Sequence, residues 1–250
     1  MSDQTNKEEG SADGAGFIKG VALDAVIFGF HDHQLKVLLV EYKRTGIIAL
    51  PGGFIGEQEN INDAAKRVVS ERTGLENIFL DQFYVFGDYS RFDPEPFKTI
   101  MRVNDAAPRD DHWLLKRFIS VGYYALVDFT LAKPTPAAIF DSCAWYDLNN
   151  MPQLVQDHTQ IVKKGLETLR TNLDYKLVGL NLLPQDFTMG ELQTLYETIL
   201  GKRLLRPAFQ RKMLSLGILE RVAKKWTGGA HKAPYLYRFI SDKSGVLFSK

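Results

Sequence analysis

The stretch that decides the fold is residues 50–75, LPGGFIGEQENINDAAKRVVSERTGL. Its first half is rich in glycine and predicts a loop, whereas residues 60–73 have their apolar side chains on one side and predict an amphipathic helix. Positions 68, 71 and 72 of such a helix lie on one face, because residues three and four apart are neighbours. Of these three positions, only Glu71 carries a carboxylate; Val68 offers no ligand for a cation and Arg72 adds a positive charge.

The segment resembles the Nudix box, G-x5-E-x7-R-E-U-x-E-E-x-G-U, in which U is a bulky aliphatic residue. The positions that match are Gly53, Glu59, Arg67, Val69, Glu71, Gly74 and Leu75. Val68 and Arg72 depart from the pattern, since the family has glutamates there that help to hold magnesium. Magnesium prefers hard oxygen ligands. The resemblance therefore implies an α/β Nudix sandwich (α/β/α layers) that lacks catalytic residues, a metal ion and a cofactor.

Two alternatives stay open for this segment. Glu57 and Glu59 belong to the preceding loop and could reach a metal ion, in which case the protein would be an active Nudix hydrolase that cleaves ADP-ribose or a nucleotide sugar. Alternatively, residues 60–73 form an ordinary amphipathic helix. Its apolar side would then consist of Ile61, Ala64, Ala65 and Val68.

Length and composition are those of a globular protein. The chain has 250 residues, of which 45% are apolar and 24% charged, enough for one large domain or two smaller ones. No apolar run approaches the roughly 20 residues that span a bilayer, so we expect no membrane partner. Residues 1–16 are polar and predict a disordered tail rather than a signal peptide. The single cysteine, Cys143, fits a reducing, cytoplasmic location.

The charge is unevenly distributed although its net value is +1. Residues 1–174 have 18 basic against 25 acidic side chains, whereas residues 175–250 have 13 against 5. Within 201–238 there are ten basic residues and one acidic residue, Glu220. A segregated basic block is typical of a protein that binds a polyanion, although a merely solvated basic surface would look the same.

Alternation of apolar and polar residues predicts several strands and a helix outside the Nudix-like box. The predicted strands are 19–31, 35–43, 47–50, 77–88, 116–130 and 139–147, with a helix over 155–171. Residues 90–115 are polar and contain proline, so we expect a long loop there. Strands bracketing two helices agree with a Nudix-like domain over residues 17–174.

A second domain is predicted over residues 175–250. Thr188 and Glu191 have the spacing of a capping box and open a helix over 188–200. Pro207 suits the first turn of a second helix, 206–215. Residues 218–224 and 234–240 then predict two strands joined by a basic loop. Two helices followed by a hairpin predict a winged helix-turn-helix.

The second helix of this motif enters the major groove of double-stranded DNA, while neighbouring elements contact phosphates. On the helix, the predicted contacts are Arg206, Gln210, Arg211 and Lys212, with Gln210 able to recognise a base edge. On the hairpin, they are Lys224, Lys225, His231 and Lys232. The alternative is that this domain only dimerises and binds no DNA.

A Nudix-like domain followed by a winged helix resembles the Nudix-related transcriptional regulators of bacteria. That group includes NrtR-type regulators of NAD metabolism and AraR-type sugar regulators. Residues 120–127 and 179–202 resemble it, particularly its AraR-like branch. The resemblance implies a homodimeric regulator, most simply a repressor, that binds a palindromic operator. Its Nudix domain would bind a small-molecule effector, either ADP-ribose or a pentose sugar.

Five residues are candidates for binding that effector. Arg67 and Glu71 lie on the predicted Nudix-like helix, and Asp88, Arg91 and Arg117 lie around the predicted long loop. For Arg67 an ion pair that stabilises the fold is an equally good interpretation. The neighbouring segment 90–115 departs from the short loop expected in the family.

Overall fold

The computed structural model describes residues 14–130, 133–173, 182–225 and 233–240. The chain divides into two compact units. One contains the described residues up to Gly29 together with Lys36–Leu166, and the other contains Phe30–Leu35 and the described residues from Glu167 onwards. Within the described ranges, no helix is both long enough and apolar enough to cross a membrane.

A seven-stranded sheet forms the centre of the first unit. Its strands are β1 (Phe17–His31), β2 (Gln34–Tyr42), β3 (Ile48–Ala49), β4 (Gly52–Gly56), β5 (Asp81–Phe86), β6 (Ile119–Asp128) and β7 (Phe140–Asp147). The order is β3-β2-β1-β6-β5, with β4 paired to β1 and β7 paired to β2. The helices are α1 (Ile61–Thr73), α2 (Glu95–Val103) and α3 (His158–Asn172).

Strand β1 is buried on both faces because a helix packs on each side of the sheet. Ala25 belongs to an apolar cluster that contains Val69 of α1. The next residue, Val26, points the other way and approaches Gly165 of α3, where an added Cβ would lie 3.2 Å from the valine. Alternate strand residues face opposite sides of a sheet, so the predicted α/β/α sandwich is confirmed.

Gly52 and Gly53, before α1, are part of a strand, so the prediction of a loop was wrong for these two residues. Gly52 and Gly53 pair in β4 with Asp24 and Leu23 of β1. A Cβ on Gly53 would lie 2.8 Å from Val68 of α1. Glycine therefore lets the strand and the helix approach closely, which is a packing requirement that local sequence preference does not reveal.

Residues 90–115 are not the long loop that their polarity predicted. They contain α2 and two short 3-10 segments, Tyr89–Arg91 and Trp113–Leu115. Phe97, Ile100 and Met101 are spaced three and four apart, and the last two are buried. The segment folds because this apolar face of α2 packs inward.

The second unit contains α4 (Met189–Leu200), α5 (Arg206–Ser215) and a three-stranded sheet. Its strands are β8 (Phe187–Thr188), β9 (Leu219–Lys224) and β10 (Tyr235–Phe239), in the order β8-β10-β9. The predicted capping box is confirmed, since the Thr188 hydroxyl accepts a bond from the Glu191 amide and the Glu191 carboxylate accepts one from the Thr188 amide. Strand β8 was not predicted, because two residues are too few to show alternation.

The two helices of this unit share an apolar core. The rings of Tyr196 on α4 and Phe209 on α5 lie 5.1 Å apart, edge to face. Met213, one turn after Phe209, is also buried. Tyr196 donates to the carbonyl of Leu173, and Arg170 donates to the carbonyl of Ile199 at 2.8 Å. The part of α3 from Glu167 onwards, which belongs to this second unit, is thereby fixed to α4.

Candidate functional site

A cavity of about 440 Å3 lies in the first unit. Its volume is within the range of small-molecule sites. Its apolar wall comes from β4, α2, β7 and the segments around them, and includes Tyr42, Phe54, Phe97, Phe118 and Phe140. Its polar wall includes Asp24, Arg72, Arg91, Asn104, Gln156 and His158. Aromatic faces beside charged and amide groups suit a ligand that has both flat and polar parts.

The polar wall is built on Asp24 of β1, which is buried inside an otherwise apolar strand. Its carboxylate accepts a hydrogen bond from the Ser120 hydroxyl. His158 Nε2 lies 3.6 Å from the other carboxylate oxygen. The Nδ1 atom of His158 accepts the Leu50 amide at 3.0 Å, so Nε2 carries the proton and faces Asp24.

Arg91 lines the cavity, as expected of an effector contact, but three of the five N–H groups of its guanidinium donate to the protein. It donates two bonds of 2.9 Å to the Asp157 carboxylate and one of 3.0 Å to the carbonyl of Phe118. It also lies 3.9 Å from Asp24. Arg91 is 8% exposed, so its first role is to hold the cavity wall together.

Arg67 and Glu71 belong to an ion-pair cluster and are not among the residues that line the cavity. Arg67 donates two bonds of 2.8 Å to Glu59, one of 3.0 Å to Glu71 and one of 2.9 Å to the carbonyl of Phe54. The bond from Arg67 lowers the pKa of Glu59, and the same bond raises the pKa of Arg67. These contacts give Arg67 the fold-stabilising role that was the alternative to effector binding.

Magnesium does not fit the residues of the Nudix-like helix. Val68 is completely buried against Gly53, while Glu59 and Glu71 are both bonded to Arg67. Arg72 is 4% exposed and lines the cavity, where it would repel a cation. Across the described part of the chain, no group of three or more His, Cys, Asp or Glu side chains could hold a metal ion.

Asp88 and Arg117 lie outside the cavity lining, although both are exposed. The Asp88 carboxylate accepts the Ser90 amide at 2.9 Å and so caps the 3-10 segment at 89–91, a bond that lowers the pKa of Asp88. Arg117 donates to the carbonyl of Gly87 and its guanidinium lies 5.6 Å from the Tyr89 ring centre. The structure therefore does not bring the five predicted effector residues together.

Several cavity residues were missed by the sequence analysis. Asp24 carried a detectable signal, because a carboxylate inside the apolar run 19–31 must find partners when the strand is buried. His158 and the aromatic residues of 90–118 carried no such signal. Phe97 lies on helix α2, which the sequence did not predict.

In the second unit, helix α5 presents a basic outer face. Arg206, Arg211 and Lys212 are exposed, and Gln210 is half-buried. The inward residues Phe209 and Met213 fix this orientation by packing against α4. The predicted recognition helix therefore presents its cations to solvent, as contact with DNA phosphates requires.

The predicted DNA contacts on the hairpin have different surroundings. Lys224 is exposed and lies 5.6 Å from the Tyr235 ring centre, while Lys225 is paired with Glu191 of α4 at 3.0 Å. Arg221, not predicted as a contact, stacks on Tyr235 at 4.0 Å. His231 and Lys232 lie outside the described residues.

Family comparisons agree with these two units. Residues 19–165 match the NUDIX domain model, and residues 179–239 match the NrtR DNA-binding winged helix domain. The chain belongs to the Nudix family. Its C-terminal unit is a winged helix of the NrtR type.

Two of the similar proteins match most of the length of the chain. The "ADPR responsive transcriptional repressor NtrR" of Acinetobacter baylyi is 28% identical over 226 residues, which is 88% of this chain and 81% of the relative. The crystal structure of Shewanella oneidensis NrtR complexed with a 27mer DNA has a TM-score of 0.64 at 27% identity, covering 90% of this chain and 95% of that one. An ADP-ribose pyrophosphatase of Methanocaldococcus jannaschii is 27% identical over 57% of this chain and 70% of its own length.

Proposed function

We propose that this protein is a DNA-binding transcriptional repressor whose Nudix domain senses ADP-ribose and does not hydrolyse it. The observation that carries the proposal is that one chain joins helix α5, with its exposed basic face, to a Nudix domain that has a cavity of about 440 Å3. The similarity to an ADP-ribose-responsive repressor runs through both units and supports the same function.

The cavity supports a nucleotide-sugar ligand by its chemistry. Flat aromatic side chains such as Phe54 and Phe140 can stack on a base, whereas Asn104, Gln156 and Asp24 can bond to hydroxyl groups. A pentose sugar is the alternative effector. The NrtR-type match of residues 179–239 favours ADP-ribose over the pentose.

The second unit supports DNA binding through α5. The exposed side chains of Arg206, Arg211 and Lys212 suit phosphates and base edges in the major groove. We propose that residues 17–174 sense the effector, that residues 175–250 bind DNA, and that the protein acts in the cytoplasm. It would act as a homodimer, with two recognition helices about 34–36 Å apart, one DNA turn.

Release of the repressor from DNA requires that the effector bind the DNA-free state more tightly than the DNA-bound state. A ligand with equal affinity for the two states would shift nothing. Because the cavity lies in the first unit, ADP-ribose would have to change the separation or orientation of the two recognition helices within the dimer.

A salt-dependent gel shift tests this function. Wild-type protein should retain DNA from upstream of its own gene at about 50 mM salt, where phosphate contacts are strong. Adding ADP-ribose should release that DNA. The double variant Arg211→Glu with Lys212→Glu should lose binding without unfolding, because both side chains are exposed on α5.

A matched control is Lys66→Glu with Lys163→Glu, which makes the same change of charge on exposed positions of the first unit. It should bind DNA like the wild type. Absence of specific retention by the wild type at low salt would rule out the regulator. Equal loss in both double variants would show that α5 is not the recognition helix.

The alternative function is an active ADP-ribose pyrophosphatase, which the similarity to the M. jannaschii enzyme favours. The buried Val68 and the ion pairs of Glu59 and Glu71 argue against it, because they leave the helix without the ligands that magnesium needs. Rapid Mg2+-dependent turnover of ADP-ribose that is abolished by Glu71→Gln would establish the enzyme instead.

A further inference from the structure

We infer that Arg72 replaces the magnesium ion of the Nudix site, so that the protein binds the pyrophosphate of its ligand through a guanidinium and needs no divalent cation. The inference rests on the proposed ADP-ribose-binding function. It adds that Arg72 recognises the phosphates and that binding requires no divalent cation.

The position of Arg72 is the first argument. It lies on α1 at a place where the Nudix box has a glutamate, and its side chain reaches the cavity wall. Its Nε donates to the carbonyl of Gly52 at 3.3 Å, and its guanidinium lies 6.0 Å from the Phe140 ring centre. A carbonyl of β4 and a ring of β7 thus hold the guanidinium at the surface of the cavity.

The other positions of the Nudix box are also unable to hold a metal ion. Val68 fills the space beside Gly53, and Arg67 takes both Glu59 and Glu71 as partners. A magnesium ion here would need to break an ion pair and to approach a buried cation. The substitutions at 68 and 72 act together, because one removes a ligand of the metal and the other supplies a positive charge in its place.

The charges around the cavity are the third argument. Among the described lining residues, Asp24 is the one acidic side chain, and Arg72 and Arg91 are the two that are always cationic. Arg72 stands on α1 at the position of a metal ligand in the Nudix box, so we assign the phosphates of the ligand to Arg72. A planar guanidinium donates bidentate, charge-assisted bonds to phosphate oxygens, and these bonds strengthen where water is excluded.

Calorimetric titration with ADP-ribose tests the inference. The wild type should bind with the same affinity, within about twofold, in EDTA and in Mg2+. Arg72→Gln should weaken binding by roughly 10- to 100-fold, the range for losing bonds to a charged group. Arg72→Lys should lose less, because it keeps the charge but not the planar pair of donors.

The matched control is Arg102→Gln, which removes an exposed cation of α2 and should leave the affinity unchanged. Near-UV circular dichroism verifies that each variant is folded. If Arg72→Gln fails to fold, Arg72→Lys tests the role of Arg72, and the comparison of EDTA with Mg2+ on the wild type tests whether a divalent cation is needed.

The possible failures are distinguishable. Binding that appears only with Mg2+, or that is unchanged in a folded Arg72→Gln variant, would overturn this inference and leave ADP-ribose sensing intact. Absence of ADP-ribose binding in both buffers would overturn the proposed function and this inference with it.

Discussion

The buried ion pair between Arg91 and Asp157 should contribute measurably to the free energy of unfolding of the first unit. Arg91 bridges three parts of the first unit, since it follows β5, bonds to the carbonyl of Phe118 before β6, and pairs with Asp157 before α3. The side chains of Arg91 and Asp157 are 5% and 11% exposed. Replacing Arg91 by methionine keeps most of the volume and removes all the donors.

The expected cost follows from these contacts. Arg91→Met leaves the Asp157 carboxylate buried without its two bonds of 2.9 Å, and leaves the Phe118 carbonyl without a donor. Removing one partner of a buried ion pair lowers the free energy of unfolding by about 3–5 kcal/mol, because the other charge stays buried without a partner. We therefore expect the free energy of unfolding of the first unit to fall by about 3–5 kcal/mol.

Urea unfolding followed by tryptophan fluorescence measures this cost. The Trp113 ring lies 5.7 Å from the Phe118 ring, so it reports on the same region. Arg102→Met, at an exposed position of α2, is the control and should change stability by less than about 0.5 kcal/mol. Combining Arg91→Met with Asp157→Leu should cost less than the sum of the two single changes. A loss below about 1 kcal/mol for Arg91→Met would refute the assignment of Arg91 to the cavity wall.

Three further predictions concern other parts of the chain. Thr188→Ala should lower the stability of the second unit by about 1 kcal/mol in urea, with Thr188→Ser near wild type, because the capping bond to the Glu191 amide is lost. Burial raises the pKa of the Cys143 thiol to about 12, so a thiol reagent at pH 8 should label it slowly until the protein unfolds; fast labelling of the native protein would contradict this. The bond from Arg67 lowers the pKa of Glu59 below its ordinary 4.5. The ionised Glu59 carboxylate therefore stabilises the folded protein fully above pH 4.5. This stabilisation is lost as the pH falls through the lower pKa that Glu59 has in the folded protein. Arg67→Met should remove this part of the acid dependence of unfolding.

The elements that were predicted well are those with a strong local signal. Helix α5 has proline in its first turn and paired apolar residues at 209 and 213, and its bounds, 206–215, are those observed. Helix α4 begins at its capping box and ends at Gly201, whose φ is 67°. Helix α1 begins one residue after its predicted start at 60 and ends at 73, as predicted.

The parts that were predicted poorly depend on contacts between distant segments. Helix α2 was missed because its polar residues dominate the composition of 90–115, while its apolar face is defined by what packs against it. Strand β4 was missed because Gly52 and Gly53 favour loops locally, although Val68 and Asp24 require glycine beside them. Neither requirement is visible until the fold is known.

The cavity illustrates the same limit for function. Charge and spacing predicted Arg67 and Glu71 as effector contacts, but their side chains form an ion pair with each other on α1. In the sequence Arg72 is only a departure from the family pattern, whereas in the structure it lines the cavity. Asp24, Asp157 and Arg91 come from three separate segments, so their association depends on tertiary structure alone.

The central claim is that one protein binds DNA and releases it in response to intact ADP-ribose. The most direct test is the fluorescence anisotropy of labelled upstream DNA, titrated with ADP-ribose in Mg2+ buffer, with chromatography of the nucleotide afterwards. We predict that anisotropy falls to the value of free DNA and that the ADP-ribose is recovered unchanged. DNA that stays bound at saturating ADP-ribose, or nucleotide recovered as AMP and ribose 5-phosphate, would contradict the account.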